Sequence, residues 1–72
     1  MPFLRIELAT DRERAKKFHT RAVRGQSFPN EKEIVLQEAW DKGYTPTGTV
    51  HYRGVSNEQP PSLKFDVEIT LN

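Results

Sequence analysis

Thr10-Asp-Arg-Glu-Arg-Ala-Lys-Lys-Phe-His-Thr-Arg-Ala-Val-Arg-Gly-Gln-Ser-Phe-Pro-Asn-Glu31 is the stretch on which the fold turns. Thr10-Asp-Arg-Glu13 has the spacing of a helix-opening capping box, in which the first hydroxyl and the fourth carboxylate satisfy each other's free backbone N–H groups. Glu13 and Lys17 form a favourable helical pair one turn apart, and Gly25 suits a helix stop. A helix over about 11–24 would place the chain among α+β folds. Its apolar stripe, however, is only Ala15, Phe18 and Ala22, which is narrow for a helix packed on a core. The same residues can instead make a long hairpin that projects from a barrel and turns near Ala22–Gly25, which would make the chain all-β. On local signals both readings stay open.

On either side of this stretch the pattern is that of strands. In residues 3–9, Leu4, Ile6 and Leu8 point one way and Arg5 and Glu7 the other, the period of a half-buried strand. The C-terminal end repeats it: Phe65, Val67, Ile69 and Leu71 share one face, and Lys64, Asp66, Glu68 and Thr70 the other. Between them, the apolar run of residues 33–40, Glu-Ile-Val-Leu-Gln-Glu-Ala-Trp, reads as a third strand. Asp41-Lys-Gly43 is a turn signal. Thr47-Gly-Thr-Val-His-Tyr-Arg53, rich in β-branched and aromatic residues, reads as a fourth strand. Asn57-Glu-Gln-Pro-Pro-Ser62 is expected to be an exposed loop, because adjacent prolines cannot donate to a ladder. No internal repeat or linker divides residues 1–72, which are read as one domain.

The composition bounds what such a domain can do. With 72 residues, 35% hydrophobic and no cysteine, the core is thin and has no covalent staple, so self-association, most simply a homodimer, is a reasonable source of stability. The lack of cysteine suits a reducing cytoplasm. The N-terminal segment does not read as a signal peptide, so none is expected, and no stretch approaches the length of apolar chain that spans a bilayer. A net charge of +1 conceals an asymmetry: residues 11–25 hold six basic and two acidic side chains, a net of +4, and the remainder carries −3. Local fields of this kind, more than the total, steer polyanions.

Catalysis has little to draw on. His19 and His51 show no metal-ligand spacing, Ser27 and Ser62 lie in no nucleophile elbow, and no glycine-rich phosphate loop exists. No enzyme, cofactor or metal is expected. Binding chemistry is better represented, since Lys16, Lys17, Phe18, His19, Arg21, Arg24 and Phe28 interleave cations with rings. Cations suit phosphates and flat rings suit unstacked bases, so such a segment can hold a single strand without reading its sequence. Tyr52 and Arg53 could add a second patch, while Val50 and Trp40 are assigned to packing.

Phe18-His-Thr-Arg21, a basic turn, Gly25 and Phe28 resemble the DNA-binding wing of the filamentous-phage gene V type single-stranded DNA-binding (helix-destabilising) proteins. Wings of that family open on Phe-x-Thr-Arg and carry Gly-x-Pro-Tyr. Tyr44-Thr-Pro46-Thr-Gly48-Thr-Val is similar to the family's Tyr-x-Pro-Gly entry into a strand, and Val50 to Val67 to its closing strands. Ser27-Phe28 stand where the family has Pro-Tyr. The resemblance implies a five-stranded antiparallel barrel of the oligonucleotide-binding (OB) type, with residues 14–31 as a basic hairpin wing. It also implies a two-fold dimer that coats single-stranded DNA during phage replication, in the host cytoplasm. Arg21, Arg24 and Phe28 fall on motif positions as phosphate and base contacts, whereas Lys16 and Lys17 follow from charge alone. Phe18, Tyr52 and Arg53 complete the expected surface, whose partner is single-stranded DNA or RNA. The rival is a protein-interaction or regulatory module in which residues 11–24 form a basic helix.

Overall fold

A computed structural model describes residues 2–71, ordered β1 (Phe3–Ala9), α1 (Arg12–Val23), α2 (Pro29–Asp41), β2 (Thr45–Val55) and β3 (Ser62–Thr70). The three strands form one antiparallel sheet in the order β1-β3-β2. The fold is α+β, and the five-stranded OB-like barrel with a basic hairpin wing is corrected on both counts.

The expected wing is helix because its local signals act together. Asp11 caps α1, its carboxylate accepting the Arg14 N–H at 2.8 Å. The cap is therefore one residue later than the Thr10 box predicts. At the other end the Gly25 N–H donates to the Ala22 carbonyl and the Gln26 N–H to the Arg21 carbonyl. This pair of bonds closes a helix when the residue after the cap is left-handed, as Gly25 is at φ +83°.

Residues 33–40, expected as a strand, lie inside α2. Pro29 supplies a fixed φ at its first turn and Gly43, at φ +89°, closes it with the same pair of bonds as α1: Gly43 to Trp40 and Tyr44 to Ala39. Within the run Ile34-Val35-Leu36, only Val35 is fully buried, Leu36 is partly buried and Ile34 is exposed. A helix thus distributes a continuous apolar run around its circumference, whereas a strand would alternate it between two faces.

The outer strands follow their alternation. Ile6 is buried and Leu4 and Leu8 half-buried on the helix side, paired with Phe65, Val67 and Leu63 of β3. The expected fourth strand is contained in β2. Leu71, grouped by parity with the core, is exposed beyond the end of β3. The loop before β3 is exposed over residues 57–60, but Pro61 and Ser62 are buried. Both helices cover the same face of the sheet, where Ile6, Ala15, Phe18, Val35, Ala39, Leu63, Phe65 and Val67 make one core. The opposite face is open.

Candidate nucleic-acid interface

The surface of α1 follows from its narrow stripe. Ala15 and Phe18 are buried and Ala22 half-buried against the sheet, so every other position on the helix faces solvent. Arg12, Arg14, Lys16, Lys17 and Arg21 are all exposed there, with Arg24 at the C-cap. Arg14 lies 3.4 Å from Asp11 and Lys17 lies 3.3 Å from Glu13, both pairs in open solvent, where ion pairs hold side chains only weakly. Among the described residues, Arg12, Lys16, Arg21 and Arg24 have no carboxylate within ion-pair distance. Four cations therefore keep their full charge for an external anion. Neighbouring α2 has the opposite sign, with Glu31, Glu33, Glu38 and Asp41 against Lys32. The two helices thus set a charge gradient across the helical face.

The expected aromatics are elsewhere. Phe18 is 4% exposed, and its ring stands 5.1 Å from Tyr52, 5.6 Å from Phe28 and 5.8 Å from Phe65, centroid to centroid. These rings meet edge-on or tilted, as aromatic quadrupoles favour, and they anchor α1 to the sheet. Tyr52 also shares a 2.7 Å hydrogen bond between its hydroxyl and His19 Nδ1, and burial pushes its ionisation up. Lys16, Lys17, Arg21 and Arg24 are therefore exposed on α1 and its cap, while Phe18 is buried and Phe28 and Tyr52 are half-buried against the core.

Arg53 occupies a third place, on the open face of the sheet. There Asp66 of β3 receives Arg5 Nε on one oxygen and Arg53 Nε on the other, each at 2.8 Å. The Arg5 hydrogen bond is the main cause that lowers the Asp66 carboxyl below its usual range; Arg53 adds to it and partial burial opposes it. The same contact raises the Arg5 guanidinium further. Arg53 thus shares the single charge of Asp66 with Arg5, whereas Arg12, Lys16, Arg21 and Arg24 have no carboxylate within ion-pair distance among the described residues.

Two features escape the sequence reading. Arg12 lies one turn before Lys16 and, with Lys16, His19 and Thr20, lines a cleft closed on its far side by the loop from Val55 to Gln59. The i, i+4 spacing of Arg12 and Lys16 is the signal that would have joined them, once the segment is taken as helix. Phe3 and His51 meet in a tilted arrangement on the open face with centroids 5.6 Å apart, and the odd-number parity that Phe3 shares with Arg5 and Glu7 places it there.

No group of three or more histidine and acidic side chains suited to a metal exists among the described residues. No helix among them is long and apolar enough to cross a membrane. No protein-family model, curated protein or solved structure matches the chain. The class defined by fold and surface is therefore stated in structural terms: a two-layer α+β domain with one cationic helix on a three-stranded antiparallel sheet.

Proposed function

We propose that the protein binds nucleic acid through its phosphates, using the exposed face of α1, without reading base sequence. The observation that carries this reading is the set of four exposed cations, Arg12, Lys16, Arg21 and Arg24, without an ion-pair partner among the described residues. Three of them lie on a helix of 12 residues and Arg24 caps it. The four spread around its exposed arc, with Arg12 and Arg21 on opposite flanks, over about 18 Å at about 1.5 Å per residue, long enough for several of them to meet phosphates of one backbone. Base stacking is no part of the proposal, since the rings expected to stack are occupied in the core. A phosphate-directed surface gains nothing from unstacked bases, so a duplex should bind at least as well as a single strand.

The test is a salt titration with a labelled duplex and a poly-dT oligonucleotide of equal length. Neutralising about four phosphates gives a slope of log affinity against log salt near −3.6 on the duplex, and about −2.8 on the single strand. Replacing Arg12, Lys16, Arg21 and Arg24 by alanine, a good helix former, should flatten both slopes while circular dichroism stays unchanged. Binding that survives the four substitutions, or that strongly prefers poly-dT, would refute the proposal. Absence of binding at low salt would leave the cationic helix to an acidic protein partner.

A further inference from the structure

The sheet ends on one side at β1, whose ladder partner is β3 alone. The direction of its backbone groups follows from two bonds at its ends. The Ile69 N–H donates to the Pro2 carbonyl and the Thr10 N–H donates to the Pro61 carbonyl. In an antiparallel ladder successive residues alternate, so Leu4, Ile6 and Leu8 turn their N–H and C=O groups to β3, and Phe3, Arg5, Glu7 and Ala9 turn theirs outward. The result is a regular edge of seven residues without proline or register shift. Such an edge is a template for another strand.

The side chains make this edge complementary to itself in one register. Consider a second β1 added antiparallel about a two-fold axis that passes beside Ile6, perpendicular to the sheet. Arg5 then falls opposite the partner's Glu7, and Glu7 opposite the partner's Arg5, both as hydrogen-bonded pairs formed by the outward groups. Moving the axis to Arg5 or to Glu7 sets like charges against each other, which is destabilising. Moving it two residues leaves much of the strand unpaired. On the helix side the same register puts Ile6 against its own copy and the half-buried Leu4 against the partner's Leu8. Ile34 of α2 is 53% exposed and lines a depression with Leu8 and Ala9, which leaves apolar surface beside that end of β1.

We propose that the chain forms a homodimer by β1–β1 pairing in this register, giving a continuous six-stranded antiparallel sheet with all four helices on one face. The inference stands apart from nucleic-acid binding, because it rests on the strand edge and not on α1. It nevertheless places both cationic helices on the same side of the dimer.

Sedimentation equilibrium, with amide hydrogen exchange over a concentration series, tests it on the unmodified chain. The expected mass at tens of micromolar is twice the 8.3 kDa of one chain, and protection of the Arg5 and Glu7 amides should grow with concentration. A monomer at millimolar concentration, or a dimer whose Arg5 and Glu7 amides stay open to exchange, overturns the proposal. A charge exchange then checks the register. Arg5→Glu alone and Glu7→Arg alone should each weaken self-association by roughly tenfold or more, since two attractive cross-strand pairs become repulsive. Mixing the two variants restores opposite charges at both pairs and should restore the dimer. If both variants are folded and the mixture stays monomeric, the register is wrong; if either fails to fold, the exchange pattern of the unmodified chain still decides.

Discussion

The two helices lie on the same face of one sheet and close with the same backbone hydrogen bonds, yet they are attached in different ways. α1 is predominantly cationic on its exposed arc, which also carries Glu13 and Val23, and is held mainly by one ring, Phe18, seated among Tyr52, Phe28 and Phe65. α2 is acidic, lies across all three strands and is seated on two small buried side chains, Val35 and Ala39. A single large anchor leaves the rest of a helix free to be polar, so α1 can carry charge without loss of packing. Several small contacts leave apolar surplus outside, and α2 accordingly exposes Ile34 and Trp40, the latter 54% exposed although its sequence setting suggests packing. The difference separates a helix that presents charge from one that mainly covers the sheet.

This contrast breaks most completely at Phe18. Phe18→Ala should cost about 3–5 kcal/mol, enough to unfold a domain of this size in a urea titration; a loss below 1 kcal/mol would show that α1 is held by something else. Val35→Ala should cost about 2 kcal/mol, because part of the seat remains at Ala39. Gly25→Ala and Gly43→Ala should cost nearly the same, about 1 kcal/mol each, since both force a left-handed conformation on a side chain at equivalent caps. Unequal losses would mean that the two helix ends are not equivalent in energy. Asp11→Ala should remove about 1 kcal/mol through the lost cap, a change that α2, with no side-chain cap, cannot reproduce.

The smallest effect lies on the face that neither helix covers. The Asp66 carboxyl ionises below its usual range because of Arg5 and then Arg53. A depressed acid contributes stability that is fully present above its unfolded value and is lost as pH falls through its folded one. The melting temperature should therefore decline by a few degrees as pH drops below the normal carboxylate range, and Asp66→Asn should remove that part of the decline. An identical acid limb in the variant would show that other carboxylates set it.

The same contrast explains what could be read in the chain. β1 and β3 were legible because each alternates over its full length, and one face of an open sheet demands that alternation. α1 was legible in parts: the Glu13–Lys17 spacing, the Gly25 stop and the stripe of Ala15, Phe18 and Ala22 were all visible, but the narrow stripe left a hairpin open, and the resemblance to a gene V type wing turned the reading towards it. The stripe is sufficient because Phe18 meets three other rings, a fact that depends on residues far along the chain. α2 was hidden by its own composition. Ile34-Val35-Leu36 favours a strand locally, and only Pro29, the first residue of a thirteen-residue helix, and Gly43, just beyond its C-cap, mark it as helix. Of the candidate interface, the cations were legible because charge stays outside whatever the fold; the rings were not, because their side depends on which period the backbone adopts.

The sheet's other border has a consequence of its own. β2 slips register against β3 twice, between Pro46 and Val50 and again between Tyr52 and Gly54, so its outer rim is kinked, not straight. An incoming strand would lose alignment at each slip, and Pro46 offers it no N–H at all. The protein thus has one rim suited to joining and one suited to refusing. Assembly through the first, in the register proposed, would stop at a finite particle instead of growing into fibrils.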